Sequence, residues 1–394
     1  MNMGNPIGMI SKTLLRNLYN RIRSRRVRVL CIGAAERLGL PVYRLAVDTN
    51  NLCNLRCIMC YMSLPEYRPS REIMSLETFT SIARQVFGKT RLLDLSCGFE
   101  PFMTKGFLDY MRIARRHCRG QISLCTNGLL LDPEKVETMV AEYLLDEINI
   151  SCDGLCRATY DSIRKNGDFD RLLQVLRLIK EAKERHHARW PMVRLNYTMM
   201  RRNIEELVGV HEFTREYGIG ILQLRHAKLT GAFSSLFSES LYFHQELSDR
   251  IISEVKGLFD RDPERCVIHP PLFSDKTVTA TDKSNCAYPW FNFVVSSNGD
   301  LHMCNIGRIG SLHDQPFMQM LRSPYVKKVR RDLIRGRFEE YCRSCHTISD
   351  MENVTQKETF ICEEAGPSTV PSVVSSGQKK GLESQVDENC AAAP

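Results

Sequence analysis

From Tyr43 to His226, short apolar runs alternate with longer stretches in which apolar residues recur every three or four positions. The short runs suit strands and the longer repeat suits amphipathic helices, so the alternation predicts βα units around a parallel sheet. Strands are predicted at Tyr43–Val47, Leu92–Ser96, Gln121–Cys125, Glu147–Ser151, Val193–Met199 and Ile221–His226. Ser75 before Leu76 and Asp132 before Pro133 read as helix starts, and Thr126-Asn127-Gly128 closes a strand. Six such units make an α/β protein, a partial (β/α)6 barrel whose chemistry belongs on loops at the carboxyl ends of the strands.

Past the barrel the pattern changes. The stretch 231–285 reads as a bridge, with a helix over Phe243–Phe259 and a proline-containing loop at His269-Pro270-Pro271. From Phe291 to Ser296 residues alternate, Asn298-Gly299 gives a turn, and Leu301 to Cys304 completes a hairpin in a small sheet. Before the barrel, Leu14, Leu15, Leu18, Tyr19 and Ile22 lie at helical spacing opposite arginines, which predicts an amphipathic helix resting on the barrel, with a targeting peptide or a membrane-surface helix as the alternatives. The expected organisation is a basic helical extension at 1–42, a core at 43–230, the bridge, and a small α+β domain at 286–351. The segment 366–394, rich in Ser, Gly, Gln and Ala, is expected to be a disordered tail.

Charge changes this picture little. Seven basic residues between Lys12 and Arg28 account for most of the net charge of +8, so the body is nearly neutral and a nucleic-acid partner is not expected. No apolar run approaches the ~18 residues of a membrane span. Sixteen cysteines without a secretory signal place the chain in a reducing cytoplasm, where clustered thiols hold metal more often than they form disulfides.

The cysteines are where the chemistry lies. Cys53, Cys57 and Cys60 follow the first strand at a Cys-x3-Cys-x2-Cys spacing. Thiolates are the soft ligands that iron–sulfur clusters take, and a trio leaves one iron of a cubane open. A structural zinc site prefers four closed ligands. This loop resembles that of the radical SAM superfamily, in which the open iron of a [4Fe–4S] cluster binds S-adenosylmethionine and reductive cleavage yields a 5′-deoxyadenosyl radical.

Further positions extend the resemblance. Gly98, Glu100 and Pro101 match the family's Gly-Gly-Glu-Pro motif, with Phe99 in place of the second glycine; backbone and acid there are implied to receive the amino group of S-adenosylmethionine. Ser151 and Arg164 match residues that contact its ribose and carboxylate. Asn127 also matches, although an Asn before Gly equally makes a turn.

A second set comprises Cys286, Cys304, Cys342 and Cys345. Four sulfurs suit zinc or a fully ligated [4Fe–4S] cluster, and spacing alone does not choose. With the segments Ile306 to Gly310 and Ser323 to Tyr325 between them, they resemble the SPASM/twitch branch, which implies one auxiliary [4Fe–4S] cluster. The resemblance further implies hydrogen abstraction from a small, polar, sugar-like substrate, giving oxidation, dehydrogenation or epimerisation, with an external electron donor such as a flavodoxin or ferredoxin. Cys97, Cys125 and Cys152, at or beside strand ends, are candidate hydrogen donors for epimerisation. Maturation of a peptide is the alternative, disfavoured by the short stretch before the first strand; a zinc-binding interaction module is the alternative from another class.

Overall fold

The computed structural model describes residues 24–96, 98–229, 231–275, 286–338 and Cys342. Cys97, Cys345, the expected helix before Arg23 and the expected tail lie outside the described residues.

The strands are β1 (Tyr43–Val47), β2 (Arg56–Cys57), β3 (Thr90–Asp94), β4 (Gln121–Thr126), β5 (Glu147–Ser151) and β6 (Arg164–Lys165). They continue with β7 (Met192–Met199), β8 (Ile221–His226), β9 (Cys266–Ile268), β10 (Asn292–Val295), β11 (Asp300–Met303) and β12 (Gly307–Ser311). The predicted strands appear in sequence order as β1-β3-β4-β5-β7-β8, each parallel to its neighbour. Helices cover one face, as the partial (β/α)6 barrel requires. Strand alternation explains the layering: Leu45, Leu93, Leu124, Ile148, Leu195 and Leu222 are fully buried in the core beneath the helices. Each such side chain contributes about 1.5–3 kcal/mol by leaving water. The opposite face carries Arg44, Asp94, Cys125, Glu147, Ser151 and Asn196, only partly buried, and this polar face lines the barrel lumen.

Both expected helix starts carry caps. Ser75 Oγ accepts the Thr78 N–H at 3.0 Å, and Asp132 Oδ1 accepts that of Lys135 at 2.8 Å. The helix Phe169–Arg185 buries Leu172, Val175, Leu176, Ile179 and Ala182, one stripe at the helical repeat. Of the basic extension, the described part forms the helix Arg25–Arg37.

The bridge and the hairpin depart from expectation. The bridge carries a helix at Gln245–Phe259 and also a strand, β9, parallel to β8. Three residues are too short to show a period, so this strand has no sequence signature. The hairpin was expected in a sheet of its own; instead β10 pairs parallel to β1, with Arg44 opposite Asn292 and Val47 opposite Val295. β11 and β12 follow antiparallel, extending the barrel sheet. Tyr43, Phe293 and Phe317 meet edge to face with centroids 5.2–5.6 Å apart, so the carboxyl-terminal α+β region shares the barrel's core. Gly299, at φ +80°, makes the predicted tight turn. Among the described residues, no helix is long and apolar enough to cross a membrane.

Candidate active site

Beyond β1 the chain bends because Asn50 is buried and fully used. Its Oδ1 accepts the Leu52 N–H at 2.7 Å, and its Nδ2 donates to Glu100 O at 3.0 Å and Thr104 Oγ1 at 2.8 Å. The loop then pairs with a distant segment: β2 lies antiparallel to β6, with Cys57 opposite Arg164. Ile58 N–H donates to Ile163 O at 2.9 Å, which extends that short ladder. Gly154 permits the return from β5, since a Cβ there would meet Tyr160 N at 2.5 Å.

This architecture collects polar groups on the first thiol trio. None of Cys53, Cys57 and Cys60 is in a disulfide, and all three are half-buried. Arg164 Nη1 lies 3.8 Å from Cys57 Sγ, and Asn127 Nδ2 lies 3.9 Å from Cys53 Sγ. Burial pushes the Cys57 thiol up to about 11, while Arg164 pulls it down and Asp153, Cys60 and Cys53 push it further up. Cys53 and Cys60 are raised too, by burial first. A metal entering here therefore displaces protons.

The donor chemistry suits a cluster rather than a single ion. Three thiolates with no fourth protein ligand are a poor set for structural zinc. A cubane instead gives each thiolate its own iron, so its ligands stand apart while still sensing one another's charge. Arg164 Nε is buried without a hydrogen-bond partner among the described residues, which leaves donor capacity beside Cys57.

Glu100 organises the adjoining turn. Its carboxylate accepts Thr126 Oγ1 at 2.8 Å, Asn127 N–H at 2.8 Å and Phe102 N–H at 3.3 Å. Burial pushes this carboxyl up to about 7 against the pull of those donors. Asn127 makes the expected turn, its Oδ1 accepting the Leu129 N–H at 3.0 Å, and its Nδ2 donates to Asn54 Oδ1 at 2.8 Å on the cluster loop. Gly98 N–H points to Asp48 Oδ1 at 3.4 Å. Phe99, in the place of a glycine, sets its ring against Tyr61 with centroids 6.3 Å apart.

Farther along the lumen, Ser151 Oγ and Asn196 Nδ2 lie 4.0 Å and 3.8 Å from Cys125 Sγ. Cys152 points the other way: it is fully buried in the core, and its thiol donates to Gly154 O at 3.0 Å. Sequence reasoning missed Asp153 and Asn196. Asp153 Oδ2 pairs with Arg164 Nη2 at 2.7 Å, with both side chains almost wholly buried. The available signals were an acid just past a strand end and an Asn at an inward position of β7.

The second set lies at the far edge of the sheet. Cys286 is buried with Tyr288 and packs against Cys304 and Phe291, and Cys342 is half-buried against the main core. Cys304 holds a left-handed backbone, φ 40°, at a cost of about 1–2 kcal/mol for a residue with a Cβ. Such strain persists only where surroundings impose it.

A profile of the Radical SAM superfamily matches residues 47–214, and one of the SPASM iron–sulfur cluster-binding domain matches residues 286–346. The chain carries a radical SAM domain. Its SPASM region sets it in the SPASM/twitch branch, and it is accordingly an iron–sulfur protein that uses a [4Fe–4S] cluster with S-adenosylmethionine. When bound, that pair supplies a carbon-centred radical through one-electron reductive cleavage of the sulfonium.

Among curated relatives, "Probable GTP 3′,8-cyclase" of Metallosphaera sedula is 30% identical over 216 residues, 54% of this chain and 63% of that protein. A protein of the same name from Thermoplasma volcanium is 26% identical over 225 residues, 55% of this chain and 65% of the relative. The alignments thus span less than two-thirds of these relatives. Among solved structures, SuiB of Streptococcus suis bound to S-adenosylmethionine has a TM-score of 0.61 at 14% identity, covering 89% of this chain and 83% of that one. The protein anSMEcpe with bound AdoMet and Cp18Cys peptide has a TM-score of 0.57 at 18% identity, covering 79% and 88%. Those likenesses concern the fold.

Proposed function

We propose that this radical SAM enzyme abstracts hydrogen from a small, polar, sugar-like substrate held in the barrel lumen, giving oxidation, dehydrogenation or epimerisation. The carrying observation is the lumen face itself. Arg194 donates to both carboxylate oxygens of Glu147 at 2.9 Å and to Gln223 Oε1 at 3.1 Å, Arg44 pairs with Asp94 at 3.2 Å, and Asn196 Oδ1 is buried without a hydrogen-bond partner among the described residues. Those charges satisfy one another, and the buried Asn196 Oδ1 leaves an acceptor that a substrate hydroxyl or amide would fill and an apolar group would leave unpaired. A polar nucleotide-like ligand, as the relatives named GTP cyclases suggest, belongs to the same chemical class.

Within this reading, Cys53, Cys57 and Cys60 hold the first cluster. Gly98, Glu100, Asn127, Ser151 and Arg164 orient S-adenosylmethionine, and Cys286, Cys304, Cys342 and Cys345 hold the auxiliary one. Cys125 is the hydrogen donor if the outcome is epimerisation: it faces the lumen beside Ser151, where its S–H would give one hydrogen atom to a substrate carbon radical, leaving a thiyl radical that one electron from the external donor and one proton return to the thiol. Cys152 drops out because its thiol is sealed in the core. An external flavodoxin or ferredoxin supplies electrons in the cytoplasm.

The test is isotopic. Anaerobic reconstituted protein is incubated with S-adenosylmethionine, reductant and candidate sugars, cyclitols and nucleotides carrying deuterium on carbon. Deuterium in 5′-deoxyadenosine from one of them is the expected result. Transfer from a peptide but from none of these compounds would replace this reading with peptide maturation.

A further inference from the structure

Arg164 is proposed above to orient S-adenosylmethionine, but Asp153, the buried acid paired with it, has no role so far. Asp153 lies just past β5, fully buried, and β7 and the turn after it hold it: its Oδ1 accepts the Thr198 N–H at 2.7 Å, and its carbonyl accepts Asn203 Nδ2 at 3.0 Å. Its other oxygen meets Arg164 Nη2 at 2.7 Å. The β2–β6 ladder meanwhile fixes Arg164 directly opposite Cys57, where Nη1 reaches the sulfur at 3.8 Å. One buried guanidinium is thus stretched between a carboxylate and a cluster thiol.

We propose that Asp153 is a positioning residue that holds Arg164 against Cys57 and, by balancing its charge, keeps the reduction potential of the S-adenosylmethionine-binding cluster low. The physical reason is electrostatic. Reduction adds one negative charge at the cluster, and a buried cation a few ångströms away stabilises that charge. The opposite charge of Asp153, 2.7 Å from the guanidinium, cancels much of this effect. A low potential matters because the electron must pass on to a sulfonium that is hard to reduce. Burial makes the pair effective: neither charge is screened by water, whereas an exposed pair at the same distance would have little influence.

The inference separates from a merely structural role by the sign of two shifts. In anaerobically reconstituted holoprotein, the potential is measured by redox titration with a chemical mediator set, following the electron paramagnetic resonance signal that S-adenosylmethionine perturbs. Asp153→Asn keeps the Thr198 bond through its own Oδ1, and it is expected to raise the potential and slow 5′-deoxyadenosine release. Arg164→Gln is expected to lower it. The double variant, neutral at both positions, is expected to return close to the parent value, and because it leaves no unpaired buried charge it remains informative should Asp153→Asn fail to fold. Equal potentials in the parent and the variants, at equal iron content, would overturn the proposal. Loss of the perturbed signal from the parent protein would instead reject the cluster assignment beneath it.

Discussion

The two cysteine sets are framed by opposite surroundings. Around Cys53, Cys57 and Cys60 charged and amide groups stand beside the rings of Tyr61 and Phe99: Arg164, Asn127 and, one step behind, the buried Glu100 and Asp153. Around Cys286 and Cys304 the neighbours are aromatic, with Tyr288 and Phe291 completing an apolar cluster. A polar ring with spare donors suits a metal vertex that must receive a charged nucleotide, whereas an apolar jacket suits a cluster whose irons are all ligated. The difference accords with the proposal that the first set serves substrate chemistry and the second handles electrons.

The strongest way to break this contrast is Cys57→Ala, which is expected to abolish cleavage of S-adenosylmethionine; full cleavage by the variant, measured as 5′-deoxyadenosine, would reject the ligand set. Cys342→Ala should act differently. It is expected to remove about half of the roughly eight irons of the two-cluster protein and to stop product formation, while uncoupled cleavage persists. Unaltered turnover would make the second set merely structural.

A smaller effect concerns Glu100 in the metal-free protein. Because its carboxyl is raised to about 7 from the ordinary range, the folded state keeps its proton to higher pH than the unfolded chain does. Stability contributed by this group is thus present below about pH 4.5, lost as pH rises through 7, and flat beyond, a change of about 3 kcal/mol at most. Denaturant titrations of the metal-free protein and of Glu100→Gln at pH 5 and pH 8 check this: the pH-dependent difference between them should have that sign. An opposite sign would mean that the Thr126 and Asn127 bonds outweigh burial.

Much of this molecule was legible in its residues, for identifiable reasons. The six barrel strands announce themselves as short apolar runs between longer amphipathic stretches, and Ser75 and Asp132 mark helix starts because their side chains satisfy open backbone donors. The turn at Asn298-Gly299 was readable for the same local reason. The place of β10 beside β1 was not, because strand pairing across some 250 residues of sequence leaves no local mark. The thiols teach a finer lesson. Ser151 and Cys152 are consecutive, and in extended chain consecutive side chains face opposite ways, so placing Ser151 in the lumen already turns Cys152 toward the core. Asp153 escaped notice because its importance comes from Arg164, which approaches only through the β2–β6 ladder.

One measurement reaches the central claim most directly. Oxygen-free reconstituted protein is reduced and its electron paramagnetic resonance spectrum recorded before and after S-adenosylmethionine is added. An iron–sulfur signal that shifts on addition in the parent protein, and is missing from Cys57→Ala, is the predicted result. A spectrum indifferent to the nucleotide would contradict the open-vertex site.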